Sequence, residues 1–234
     1  MFWAEARRRY AHLTRLDPDI SRYLDVAGAI QSEGYRGITG FIQDLGHKWI
    51  AARTPSGKVL EIGFGVGRHA RFFRHDPQDH FVSEYAAQHV QGEAWVNARG
   101  RAVRCDAARI PFASGSFTCV ISIYNLEHIA QLQLVLAEVH RVLASGGRFL
   151  IALPCEGGLL WNLGRELTTR RTFQRAYGID YDKVIAYEHV WDLRGVLSEL
   201  ESSGLFEIIE RKYFPFGIAS VNASLICCLD CVSV

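Results

Sequence analysis

The sequence predicts a doubly wound α/β fold, a mostly parallel sheet with helices on both faces. From Lys58 onward, short apolar runs alternate with helical stretches, the pattern of strands buried on both sides. At Val59-Leu60-Glu61-Ile62-Gly63-Phe64-Gly65-Val66-Gly67-Arg68 an apolar run enters a glycine-spaced turn and then a helix. Between two further apolar runs, Ile129, Leu132, Leu136, Val139 and Val142 or Leu143 form a helical stripe that stops at Ser145-Gly146-Gly147, a strand, helix, strand unit.

Along the chain, residues 1–55 read as three helical pieces forming an N-terminal cap. Trp3, Ala6, Tyr10 and Leu13 recur at helical spacing under a face with Arg7, Arg8 and Arg9. A second piece spans about Ile20 to Ile30, started by Asp17-Pro18. The third runs from Ile38 to Ala52, beyond the turn Gly34-Tyr35-Arg36-Gly37. Residues 56–234 form the core. Its expected strands are Lys58 to Ile62, His80 to Glu84, Arg101 to Cys105, Phe117 to Ile123 and Arg148 to Leu153. An aromatic and arginine-containing insertion occupies 154–189. Val190, Leu193, Val196, Leu197 and Leu200 then make a helical face closed by Gly204. Phe206 to Phe214 and Ala223 to Val234 read as a terminal antiparallel hairpin around Pro215-Phe216-Gly217.

Composition narrows the function classes. The 234 residues are 49% hydrophobic, 22% charged and 12% aromatic, enough for one principal globular domain. Twenty-six Lys and Arg against 25 Asp and Glu leave a formal charge of +1 with no like-charge block, which argues against a dedicated nucleic-acid backbone binder. No run approaches the roughly 20 apolar residues of a membrane span. The start MFWAEARRRYAH has no apolar core behind its charges, so a secretory signal is absent and a cytoplasmic protein is expected. The six cysteines repeat no disulfide or zinc spacing, and no metal site is expected. Cys228 and Cys231 form a C-x-x-C, but on a strand that odd offset sends two side chains to opposite faces.

The glycines after Ile62 let a nucleotide-like ligand approach the backbone closely. A dinucleotide fingerprint needs glycine at its sixth position, where Arg68 stands; the third glycine, Gly67, comes one residue early. The spacing E-x-G-x-G-x-G instead resembles motif I of the class I S-adenosylmethionine-dependent methyltransferases of the small-molecule, type 11-like kind. Val82-Ser83-Glu84-Tyr85 puts an acid at the end of the second strand, as that family does. Cys105-Asp106-Ala107-Ala108-Arg109-Ile110-Pro111-Phe112 resembles its GDA-x-x-LPF segment. Ser116-Phe117-Thr118-Cys119-Val120 resembles its fourth strand, and Glu138-Val139-His140-Arg141-Val142-Leu143-Ala144-Ser145-Gly146-Gly147 its E-x-x-RVLKPGG helix and turn. Thr118, Cys105 and Ala144-Ser145 depart from the common residues without removing a cofactor contact.

This resemblance over about 57–154 implies a Rossmann-like seven-stranded sheet of order 3-2-1-4-5-7-6 with the seventh strand antiparallel. It implies S-adenosyl-L-methionine as cofactor, with Glu61, Gly63, Gly65 and Gly67 around the methionine part, Glu84 at the ribose, Asp106 and Ala107 at the adenine and Asn125 near the sulfonium. The implied activity is methyl transfer to a small-molecule acceptor, at oxygen in preference to nitrogen. Alternatives are a non-catalytic cofactor-binding module, and methylation of protein or RNA, with nucleic acid disfavoured by the near-neutral charge. A nicotinamide-dependent oxidoreductase is disfavoured by Arg68 and the Asp106 segment. Asn125-Leu126-Glu127-His128 lacks the Pro-Pro-aromatic run of enzymes that methylate exocyclic amines of nucleic acids or amide nitrogens, and Cys155 follows the wrong strand for a cytosine-directed nucleophile.

In-line alignment can supply most of the acceleration in methyl transfer, with a base needed only for a weakly acidic acceptor. The candidate bases are His128, where a strand opens into the cleft, and His189, in Glu188-His189-Val190-Trp191 at the start of the helix expected to border the pocket. The insertion mixes arginines with aromatics and reads either as an amphipathic lid with a solvated basic face or as an acceptor grip, for which Trp161, Arg165 and Tyr187 are the candidates.

Overall fold

A computed structural model of the chain describes residues 3–34, 37–86, 89–90, 93–98, 101–167 and 169–234, the side chains of 3–4, 28–34 and 172 apart. Tyr35 and Arg36 of the expected turn, and the side chain of Trp3, lie outside the described residues.

Seven strands form one sheet. They are β1 (Val59–Ile62), β2 (His80–Glu84), β3 (Ala102–Arg104), β4 (Phe117–Ile123), β5 (Leu143–Pro154), β6 (Phe206–Phe214) and β7 (Ile226–Ser233). Their order is β3-β2-β1-β4-β5-β7-β6, the order expected from the sequence. β1 to β5 run parallel, and β7 is antiparallel to both β5 and β6. Register fixes the site: Ile62 lies level with Ser83 and with Ser122, so Gly63, Glu84 and Asn125 emerge at one edge, the carboxyl ends of the central strands.

β5 starts five residues earlier than expected. The chain leaves α5 (Leu132–Val142) directly into pairing, Leu143 opposite Phe117, and the register shifts before Arg148 meets Cys119. Arg148 then pairs with the buried Asp230 of β7, a charge that would otherwise be stranded in the sheet.

Side chains alternate between two cores. On one face α5 and α9 (Leu193–Ser203) bury Leu136, Val139, Val196 and Leu200 against Leu60, Val120, Phe149 and Cys231. On the other, α3 (Gly37–Arg53) lays Trp49 and Ile50 on Val59, Ile121, Leu150 and Cys228. Each such burial contributes roughly 1.5–3 kcal/mol. Cys228 and Cys231 thus do point to opposite faces, as strand geometry requires. The short α4 (Glu93–Asn97) packs beside β2 through Ala94 and Trp95.

A third, smaller core lies apart from the sheet. The insertion folds as α6 (Leu159–Leu167), α7 (Thr169–Tyr177) and α8 (Tyr181–Glu188). Phe173, Tyr181, Val184 and Ile185 from it pack with Tyr23 and Ala27 of α2 (Pro18–Gly34). Polar contacts tie the same pieces: Arg7 of α1 (Trp3–Arg9) donates to the Ala186 carbonyl at 2.6 Å, and Lys183 lies 3.0 Å from Asp17 and 2.9 Å from Asp19. The N-terminal helices therefore divide, α3 joining the sheet while α1 and α2 join the insertion.

Candidate active site

At the carboxyl ends of β1, β2 and β4 one cavity of about 850 Å³ runs from the glycine turn to the insertion. Its size is at the upper end for a small-molecule site.

The glycine side is built on backbone. Gly65 has φ +56° and open space where a Cβ would stand. Gly63, at φ +70°, abuts the Asn125 side chain so closely that a Cβ would overlap it. Glu84, 8% exposed, accepts hydrogen bonds from the amides of Gly65 at 2.7 Å and of Tyr85 and Ala86 at 2.8 Å. Burial pushes its carboxyl up, but His89 and the Ala86 and Gly65 amides outweigh that and hold it below the ordinary carboxylate range. Glu61, Asp106, Ala107 and Asn125 also line the cavity. Glu61 is at the same time ion-paired with His80 at 2.9 Å. Gly67 does not line it: this glycine sits against Ala94 and the Phe64 ring, and serves the turn.

The loop carrying Asp106 and Ala107 is fixed from α5. Glu138 accepts from the Ile110 amide at 2.8 Å, and Arg141 donates to the carbonyls of Ile110 and Phe112, each at 2.8 Å. Arg141 also pairs with Glu138 at 2.7 Å. This clamp explains the E-x-x-R spacing: three residues apart on a helix, both side chains reach the same loop.

At the opposite side His128 and His189 meet edge to face, ring centroids 4.7 Å apart, and both line the cavity. His128 Nδ1 lies 3.0 Å from the Glu188 carbonyl, which can only accept. That contact makes Nδ1 the protonated nitrogen and leaves the Nε2 lone pair available. Burial, followed by the neighbouring His189, lowers the His128 basicity. His189 goes the other way: burial lowers it, but the Glu156 carboxylate on its Nδ1 outweighs burial and raises it. His189 caps the end of α8 and does not open α9, which starts at Leu193 with Asp192 as its cap. Trp161 and Arg165 line the cavity from α6. Tyr187 does not; its hydroxyl accepts from Arg15 Nε at 3.3 Å on the outer side.

Two carboxyls near the histidines were not expected from the sequence. Glu127, 3% exposed, lies 3.9 Å from His128 Nε2, and its Oε2 has no hydrogen-bond partner among the described residues. Glu156, 1% exposed, accepts from Arg165 at 3.1 Å with Oε1 and from His189 with Oε2. The adjacency Glu127-His128 was a signal for the first; no spacing announces the second. Among the described residues no group of His, Cys, Asp or Glu is arranged to hold a metal ion.

Residues 60–151 match the family profile of a methyltransferase domain. Residues 60–151 are the part of the chain that this match places with the S-adenosylmethionine-dependent methyltransferases. Over 97 residues the chain is 33% identical to a ubiquinone/menaquinone biosynthesis C-methyltransferase of Desulfotalea psychrophila, covering 40% of this chain and 39% of that one. Over 102 residues it is 31% identical to a sterol 24-C-methyltransferase of Gibberella zeae, covering 41% and 27% respectively. The matched segments thus span well under half of those relatives' lengths. Among solved structures, a Thermotoga maritima S-adenosylmethionine-dependent methyltransferase described as a possible histamine N-methyltransferase superposes with TM-score 0.59 at 13% identity, covering 92% of this chain and 99% of that one. That likeness is one of fold.

The match over residues 60–151 implies S-adenosyl-L-methionine as the cofactor, and the residues present fit it. The open left-handed turn at Gly65 leaves room for a ligand that any Cβ would take. Beside it stands an ionised, buried Glu84, the acceptor type that a ribose diol needs. The family match ends at Ile151, so the insertion, Glu156 and His189 lie beyond it, whereas Glu127 and His128 lie within it.

Proposed function

We propose that this protein transfers the methyl group of S-adenosylmethionine to a small-molecule acceptor held within the cavity, at an oxygen made nucleophilic by loss of its proton. The observation that carries this reading is the continuity of one cavity from the Gly65–Glu84 turn to the His128–His189 pair. The bound cofactor supplies a methyl group already activated on a sulfonium. Glu61, Gly63, Gly65, Glu84, Asp106, Ala107 and Asn125 hold it. Of these, Glu84 takes the ribose hydroxyls, Asp106 with Ala107 takes the adenine, and Asn125, against Gly63, borders the methyl end.

The chain's own chemistry then concerns the acceptor proton. His128, neutral and bearing its lone pair on Nε2, is the base. His189, whose basicity Glu156 raises, donates toward the oxygen that loses the proton. Two neighbouring groups with basicities pushed apart make a base and a donor. Trp161 and Arg165 of α6, with Tyr23, Phe173 and Tyr181, make a largely apolar wall that suits a ring-bearing or aliphatic acceptor. Helices α1, α2 and α6–α8 together are the cover over this side. Six free cysteines, and among the described residues no helix long and apolar enough to cross a membrane, fit work in the reducing cytoplasm.

A carbon acceptor is the second reading, favoured by the names of the curated relatives. The same deprotonated hydroxyl activates an adjoining ring or enol carbon. Incubation with methyl-labelled S-adenosylmethionine and a panel of phenols, catechols, enols and amines tests both, with mass spectrometry locating the label. O-methyl products are expected. Label only on carbon selects the second reading, and cofactor binding with no transfer to any small molecule, protein or RNA leaves a binding module.

A further inference from the structure

Helix α6 is amphipathic the wrong way round. Its inward side is polar: Asn162 and Arg165 are buried, Asn162 donating to the Gly158 carbonyl at 2.8 Å and Arg165 to Glu156 at 3.1 Å. Its outward side carries Leu159, Leu163 and Leu167, which are 61%, 55% and 57% exposed. Their spacing of four sets them in one row along the helix, opposite Trp161 and Arg165, which line the cavity. A surface helix normally buries its apolar row and exposes its polar one. Single exposed leucines need no partner, but a row of three on a nine-residue helix is a face. The start of α6 also rests on the β6–β7 connection, where the Asn222 side-chain oxygen accepts from the Leu159 amide at 3.4 Å, and that connection adds the exposed Phe216 and Ile218.

Helix α7 supplies charge beside this row. Gly164 and Arg165 of α6 and Thr169 and Phe173 of α7 border the same cavity, so the outer sides of both helices face away from it together. On the outer side of α7, Arg171 and Arg175 stand one turn apart, exposed, with no ion pair or hydrogen bond among the described residues. The helix has no acid of its own, and the acids around it are engaged. Glu166 and Asp182 are held by Arg170 at 2.7 and 2.5 Å, and Asp180 accepts from the Asp182 amide at 3.0 Å and the Tyr10 hydroxyl at 3.2 Å. Asp19 of α2, which shares a small hollow with Gln174, is paired with Arg22 and Lys183.

We propose that the outer faces of α6 and α7 form a docking surface for an anionic phospholipid membrane, the leucine row entering the apolar edge of the bilayer and Arg171 and Arg175 pairing with lipid anions. Leucines backed by uncommitted guanidinium groups are the complement of such a surface. A second copy of the chain is a poorer occupant, because it would bring its own Arg171 and Arg175 to the contact and no uncommitted acid to meet them. The axis of α6 then lies in the membrane plane, and the cavity wall that carries Trp161 and Arg165 is the one next to the lipid. This inference goes beyond the methyl-transfer reading and does not depend on it.

The test is sedimentation of the full chain, without cofactor, with vesicles of phosphatidylcholine and with vesicles of phosphatidylcholine mixed with phosphatidylserine. Binding to the mixed vesicles is expected, about tenfold tighter than to the neutral ones, and weakened by added salt. Leu159→Ser/Leu163→Ser/Leu167→Ser is expected to weaken it by at least about tenfold, and Arg171→Gln/Arg175→Gln to bring it down to the neutral-vesicle level. All five side chains are exposed, so both variants should melt as the wild type does; if the triple variant unfolds, Leu163→Ser alone should still weaken binding several-fold. No binding to the mixed vesicles, equal binding with and without phosphatidylserine, or binding untouched by the leucine substitutions would overturn the proposal. So would a dimer in lipid-free buffer that the leucine substitutions dissociate, since the face would then belong to a second copy.

Discussion

Replacing Gly63 and Gly65 separately by alanine should divide stability from cofactor affinity. Both have left-handed backbone, φ +70° and +56°, so each alanine costs about 1–2 kcal/mol on that ground. At Gly63 the new Cβ also overlaps the Asn125 side chain, which must move, adding the 1–3 kcal/mol typical of overpacking. At Gly65 nothing stands within 4 Å, so no such cost arises. The expected losses are then about 2–5 kcal/mol for Gly63→Ala and about 1–2 kcal/mol for Gly65→Ala, or roughly 4–20 °C and 2–8 °C in melting temperature for a chain of this size. Affinity should rank differently. On the proposed function the cofactor approaches through the space beside Gly65, so Gly65→Ala should weaken S-adenosylhomocysteine at least tenfold, about 1.4 kcal/mol, despite its mild effect on the fold. Calorimetric melting and isothermal titration measure the two quantities, and Gly63→Ala/Asn125→Ala should recover the overlap share of the stability loss. Equal destabilisation by the two alanines, or undiminished affinity in Gly65→Ala, would refute the assignment of open space to ligand and contact to Asn125.

Arg141→Ala removes the donors to Ile110 and Phe112; a loss of about 1–3 kcal/mol and a several-fold weaker affinity for adenosine-containing ligands should appear by denaturant melts and titration. His128→Ala should lower the transfer rate about 10²-fold or more with little change in the acceptor KM. Because the wild-type His128 basicity is lowered, its rate should hold below pH 6.5 before falling, and an acid limb at or above 6.5 would contradict that role. His47 and His69 lie against one another, Nδ1 to Nδ1 at 3.3 Å, and burial holds each down at about 3. The unfolded chain then binds protons below about pH 6.5 that the folded chain refuses, so stability should decline as pH drops from there toward 3, and His47→Leu should flatten the decline in urea midpoints.

The sheet was legible because parallel strands buried on both faces must be apolar throughout. β2, β4 and β6 match the residues expected for them. β5 was misjudged at its start, since Ala144-Ser145-Gly146-Gly147 looks like a turn in sequence yet Leu143 already pairs with Phe117. On the glycine side, one motif carries backbone and acid together. The histidine side was half legible. A histidine after a strand suggests itself, but Glu156 meets Arg165 and His189, nine and thirty-three positions away, and no local period encodes that meeting. Tyr187 shows a phase the sequence did contain: α8 turns Tyr181, Val184, Ile185 and Glu188 inward at spacings of three, four and seven, which leaves Tyr187 facing out.

The small core shared by α2, α7 and α8 also orders events during synthesis. Arg7 waits for Ala186, 179 positions later, and Asp17 for Lys183, 166 later, whereas β1, β2 and β4 find one another within residues 59–123. Contacts so distant along the chain close slowly. Helices α1 and α2 are made long before the insertion they pack on, and the Gly65–Glu84 half of the cavity exists before its roof. Pulse-labelled hydrogen exchange on refolding chains should find amides of the central strands protected ahead of those in α2, and the opposite sequence of protection would contradict this order.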